Sequence, residues 1–131
     1  DLLPSWADNS YNLFYSAAAT PSGDVVFSPL NADAVCVYSD LGPSVSCVDI
    51  SSTLTMDNKF AGAAASSSGV LVFSPLNADC FGEFDPAPST FECHDVTSEL
   101  SMDYKFWGGV AAPDGRILMP PGHADCVGIV A

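Results

Sequence analysis

The chain has 131 residues, 48% of them hydrophobic and 15% charged, a domain's length with enough apolar content for a packed core, which argues against disorder. Three basic residues, Lys59, Lys105 and Arg116, face sixteen acidic ones for a net charge of −13. Nucleic acid and anionic membranes, both recognised through clustered Lys and Arg, are therefore disfavoured partners.

The chain opens Asp1-Leu2-Leu3-Pro4 without an initiator Met, as either a processed mature terminus or an artificial boundary would. No apolar run approaches the roughly 20 residues that span a bilayer. An aromatic group, Trp6, Tyr11, Phe14 and Tyr15, follows, and then the octamer Val26-Phe27-Ser28-Pro29-Leu30-Asn31-Ala32-Asp33. This octamer recurs unchanged at Val72–Asp79, 46 residues later, and in degraded form at Leu118–Asp125 after another 46. A fixed period of this size marks a repeat architecture. Cut by its arithmetic, one repeat domain, 1–131, holds units of approximately 1–46, 47–92 and 93–131.

The second unit predicts four short strands. Phe60–Ala65 is the first, and Ser66–Gly69 a turn matched by Thr20–Gly23 and Ala112–Gly115. Pro113-Asp114-Gly115 has turn chemistry, with Pro presetting one dihedral and Gly accepting positive φ. Val70–Phe73 is continuously apolar, as a strand buried on both faces would be. Cys80–Phe84 and Thr90–His94 complete the unit around an Asp85–Pro88 turn, and Val96–Met102 holds one helical turn at most. Four strands per unit describe a β-propeller blade, or alternatively a β-trefoil, which closes with three units. The phase of the repeat favours blades. The chain begins with a fourth strand and stops after a third, as in closure by strand exchange between chain ends.

The third unit carries a resemblance. Tyr104-Lys105-Phe106-Trp107-Gly108-Gly109-Val110-Ala111-Ala112-Pro113-Asp114-Gly115-Arg116-Ile117 through Pro121 is similar to the repeat K-F-x-G-G-V-x-A-x-[ND]-G-K-I-Y-x-x-P of tandem, propeller-like proteins in algae and other protists. The first two units depart from it: Leu13 stands where Lys59 and Lys105 stand, and Tyr15-Ser16 and Ala61-Gly62 replace Trp107-Gly108. The resemblance implies more units than three, hence a half-ring that dimerises or a piece of a larger assembly. It implies no particular reaction.

Cys36 and Cys47 flank one predicted turn and Cys80 and Cys93 another, so Cys36–Cys47 and Cys80–Cys93 disulfides are expected, with a secreted or organelle-lumenal location. The alternative is five buried free thiols. Cys126 shares the frame position of Cys80 and lacks a partner, which makes it a free thiol or an intermolecular link. The aligned Asp33, Asp79 and Asp125 are metal candidates, able to ring an axis around a hard cation, but they track a turn motif that explains them without one. His94 and His123 each have a carboxylate nearby, yet no nucleophile-elbow motif accompanies them. Glycine patterns for dinucleotides and phosphates are absent, so no cofactor is expected. Trp107, Tyr104, Trp6 and Tyr15 are the candidate partner-binding residues, since exposed aromatics suit protein hot spots or sugars. The sequence thus predicts a non-enzymatic interaction or scaffold module, a peripheral subunit of a larger assembly, with a protein partner or a second copy of itself. A carbohydrate-binding lectin is the alternative.

Overall fold

The computed structural model describes residues 11–131, and among these every regular element is a β-strand. Strands β1 (Phe14–Ala19), β2 (Val25–Pro29), β3 (Ala34–Ser39) and β4 (Ser44–Asp49) form one antiparallel sheet in sequential order. Strands β5 (Phe60–Ala65), β6 (Leu71–Pro75), β7 (Cys80–Asp85) and β8 (Thr90–Asp95) form a second, and β9 (Val110–Ala111), β10 (Ile117–Met119) and β11 (Gly128–Val130) a third. Each strand of the second sheet starts 46 residues after its counterpart in the first, and β10 starts 46 after β6. No helix among the described residues is long and apolar enough to cross a membrane.

The expected strands of the second unit are present, and the apolar run that forms β6 is buried throughout. Gly23, Gly69 and Gly115 take φ of 99°, 90° and 89° in the three equivalent turns, a conformation that other residues reach only with strain. After β8, Leu100 N donates to Val96 O at 2.8 Å and closes a single helical turn. The sheets start at Phe14 and Phe60, so the arithmetic cuts after residues 46 and 92 pass through β4 and β8. In the third unit the first strand is cut down: Phe106 makes one bridge, to Pro121, and pairing resumes only at Val110. Gly108, at φ 84°, turns the backbone there, and its N–H goes to Ala61 O of the second sheet instead.

Among the described residues the three sheets form separate strand ladders, and none closes on itself. A trefoil's units would instead share strands in one barrel. The fourth strand expected at the N-terminus, with its strand exchange, lies outside the described residues.

Sheet faces pack on one another. Val26 and Val35 of the first sheet join Phe60, Leu71, Phe73 and Phe84 of the second in one core, to which the link residues Ile50 and Leu54 add. Ala64 and Val72 of the second sheet meet Ile117 of the third. Each fully buried large apolar side chain stabilises by about 1.5–3 kcal/mol, so these two seams hold the sheets in order.

Both expected disulfides form. Cys36 and Cys47 are directly opposed on β3 and β4, with Cα atoms 4.1 Å apart. Cys93 opposes Gly82 and reaches diagonally to Cys80, with Cα atoms 5.4 Å apart. Each bridge ties the outermost strand of its sheet, which among the described residues has no neighbour on its far side. Replacing Cys80 and Cys93 together with Ala is expected to lower unfolding stability by about 2–3 kcal/mol, read as a shift in the urea midpoint; no shift would show that the hairpin holds without its cross-link.

The turn after each outer strand is closed by aspartate. The hydroxyl and amide of Ser51 hold the Asp49 carboxyl below the usual carboxylate range, and those of Thr97 do the same for Asp95. A depressed carboxylate favours the folded state above the ordinary aspartate pKa and loses that contribution as pH falls through the folded value. Both turns therefore loosen in acid.

Candidate functional site

Two features set the site: the way successive sheets are joined, and the aromatic side chains that the join leaves exposed. At the first seam, Lys59 N donates to Leu30 O at 2.8 Å. Its side chain, wholly buried, runs back to Asp33 Oδ1 at 2.8 Å and Asn31 O at 3.4 Å. The second seam repeats this: Lys105, also wholly buried, donates from N to Leu76 O at 2.9 Å, with Nζ 3.7 Å from Asp79 Oδ1 and 3.5 Å from Asn77 O. A buried ammonium needs such partners, because its desolvation is otherwise costly. Ser28 Oγ donates to Gly62 O at 3.2 Å across the first seam, and Ser74 Oγ to Gly108 O across the second.

Two members of the aspartate triplet thereby gain a structural role. Asp33, Asp79 and Asp125 do not converge on one point; the first two each receive a lysine from the next sheet. That role was missed in the sequence, although Lys59 and Lys105 follow the repeated aspartates at one fixed spacing.

Asn12, Asn58 and Tyr104 occupy one frame position and all have positive φ, 52°, 55° and 55°. Asparagine tolerates this region; a bulky aromatic there is an outlier. Asn31 Oδ1 accepts the Asn58 N–H at 2.8 Å, and Asn77 Oδ1 accepts the Tyr104 N–H at 2.9 Å, so the preceding sheet fixes each bend. The bend in the third unit sends the Tyr104 ring over Trp107, nearly parallel at 17° and 6.2 Å between centroids. His123 leans on the other neighbour of this group, 5.4 Å from Tyr104.

Tyr15 joins them from the first sheet, 5.8 Å from Trp107. Positions 15, 61 and 107 are equivalent in the three units, and the middle one is the small, fully buried Ala61. Tyr15, Tyr104 and Trp107 are 52%, 39% and 41% exposed, which is high for large aromatics grouped together. Three of the four aromatic residues singled out in the sequence are thus brought together; the fourth, Trp6, lies outside the described residues. At the opposite end of these first strands, the turns at Thr20–Pro21, Ser66–Ser67 and Ala112–Gly115 surround a cavity of 540 Å³.

The histidines lie apart, His94 on β8 and His123 beside Tyr104. His94 stacks on Phe81, and its Nε2 is 3.6 Å from Glu83 on β7 and 3.7 Å from Glu92 on β8. Among the described residues this is the one trio of side chains that could offer ligands together to a metal ion. Cys126 is a free, exposed thiol.

No protein-family model matches the chain, and no curated protein matches it in sequence. Solved structures do. Virginiamycin B lyase from Staphylococcus aureus superposes with a TM-score of 0.74 at 14% identity, over 95% of this chain and 40% of the lyase chain. A catalytically inactive form of that lyase with quinupristin gives 0.76 at 12% identity, with the same coverage of both chains. A streptogramin B lyase structure gives 0.51 at 12% identity, over 92% of this chain and 52% of that one. The chain thus spans about two fifths of the length of the first two neighbours. These neighbours are of β-propeller type, and at such identities the likeness is one of fold alone: an all-β chain of antiparallel sheets arranged as in a propeller.

Proposed function

We propose that this chain is a non-enzymatic interaction module, each of its three sheets a propeller-like blade, that docks a protein partner through Tyr15, Trp107 and Tyr104. The observation that carries this reading is the convergence of two sheets' aromatics on one exposed patch, with Tyr104 kept in a strained backbone conformation that points it there. Strain of about 1–3 kcal/mol retained at one position is found where a function needs it. Aromatic side chains with a polar tip are the usual anchors of protein interfaces, and the net charge of −13 suits a cationic partner. The two disulfides fit a secreted or lumenal setting, in which the module would be a peripheral subunit of a larger assembly.

The lectin alternative keeps one supporting feature, since a tyrosine and a tryptophan side by side also make a platform for a sugar. It loses the equivalence of sites that a three-unit lectin would have, because Ala61 replaces the aromatic in the middle unit.

Affinity capture from the secretory fraction of the source cells, with Trp107→Ala and Tyr15→Ala as controls, tests the reading. A protein held by the unaltered chain and released by both variants supports it. Glycan-array binding lost in the same variants, with no protein retained, overturns it in favour of the lectin. Tyr104→Asn should meanwhile raise stability by about 1 kcal/mol while weakening capture, the separation expected of a residue strained for binding.

A further inference from the structure

The structure assigns a second docking surface to the outer face of the third sheet. We infer that it receives a further repeat unit carrying lysine at the position of Lys59 and Lys105. This surface borders the aromatic patch at Gly122 and His123 but does not depend on it.

The two internal seams define what this face is for. In the first sheet, Val26, Val35 and Val37 point toward the second, where they belong to or pack on the shared core. In the second sheet, Val72 and Phe81 point toward the third and meet Ile117 and Val130. The equivalents on the third sheet are Leu118, Val127 and Ile129, and the last two are 55% and 54% exposed. The alternation within β10 and β11 turns Ile117, Met119 and Val130 inward and leaves these three outward. An apolar sheet face is therefore presented where the other two sheets carry their neighbour.

The polar half of the seam is present too. Asp125 stands where Asp33 and Asp79 receive their lysines, and the carbonyls of Gly122 and His123 stand where Leu30, Asn31, Leu76 and Asn77 accept from them. Asp125 has no cationic neighbour among the described residues, and it is exposed. Three fittings differ: Pro120 replaces the seam hydroxyl of Ser28 and Ser74, Gly122 replaces the side chain of Leu30 and Leu76, and His123 replaces the amides of Asn31 and Asn77 that accept from the next unit. The incoming unit has less to bond there, so a larger share of recognition falls on the lysine.

This requirement selects the occupant. A second copy docked head-to-tail would bring Leu13 to Asp125, because Leu13 holds the lysine position in the first unit. Burying an aspartate against leucine costs desolvation without return. The half-ring dimer expected from the repeat count is thus disfavoured in this arrangement, and a lysine-bearing repeat unit is favoured.

The test supplies the missing lysine on a copy of the chain itself. Light scattering over a concentration series compares the unaltered chain, Leu13→Lys, and Leu13→Lys combined with Asp125→Asn, all with both disulfides intact. We expect Leu13→Lys to associate at a concentration lower by about thirtyfold or more, and the added Asp125→Asn to reverse the gain. Protection of the Cys126 thiol from alkylation should follow the same order. Should Leu13→Lys not fold, Leu13→Arg delivers the same charge. Association equal to that of the unaltered chain, or a gain indifferent to Asp125, overturns the assignment.

Discussion

Asp33→Ala should unfold the chain at a urea concentration lower by about 1 M or more, because it strands a wholly buried ammonium. Breaking a buried pair by removing one partner typically costs about 3–5 kcal/mol, against a total stability of about 5–15 kcal/mol for an ordinary domain. The pair is asymmetric, which sharpens the prediction. Lys59 is inaccessible to water while Asp33 keeps 44% of its side-chain surface. Lys59→Met therefore leaves a carboxylate that water can still reach, and should cost clearly less than Asp33→Ala. The second seam is looser, with 3.7 Å between partners and Asp79 63% exposed, so Asp79→Ala should fall between the two. Equal losses from Asp33→Ala and Lys59→Met would mean that the lysine stem, through its packing, matters more than its charge.

The 46-residue period made most of the fold legible. It put Phe60 and Phe106 in one frame, placed the turns, and predicted both disulfides from cysteines flanking equivalent hairpins. It also put Tyr15 and Trp107 at one frame position, though their approach to 5.8 Å is visible only in the structure. Periodicity could not say what joins one unit to the next, since contacts between units leave no period of their own. The lysine clasp had a signal nonetheless: two of only three basic residues recur in register, at a constant distance after a repeated aspartate, in a chain where cations are scarce. The strain at Tyr104 was likewise written in the frame, as a tyrosine where the other units keep asparagine. Reading it required knowing that this position bends to positive φ, and only the backbone shows that.

A comparable disruption should come from the smallest substitution, Gly62→Ala. A methyl group built on Gly62 would lie 2.5 Å from both the Cα and the carbonyl carbon of Gly108. What it meets is backbone, so no side chain can swing aside, and the first strands of the second and third units must separate. Overpacking typically costs about 1–3 kcal/mol where side chains can yield; with rigid backbone opposite, about 3 kcal/mol or more is expected. The damage also has a direction. Gly108 accepts from Ser74, donates to Ala61, and directly follows Trp107 in the chain. Pushing it outward moves the Trp107 ring away from Tyr15, so partner binding should fall even in molecules that remain folded. Gly62→Ala should therefore weaken capture at temperatures where circular dichroism still reports full strand content, whereas Cys80→Ala with Cys93→Ala, at the far edge of the second sheet, should lower stability and leave capture intact. Losing binding in both, or in neither, would separate the aromatic patch from the first-strand packing that is argued to build it.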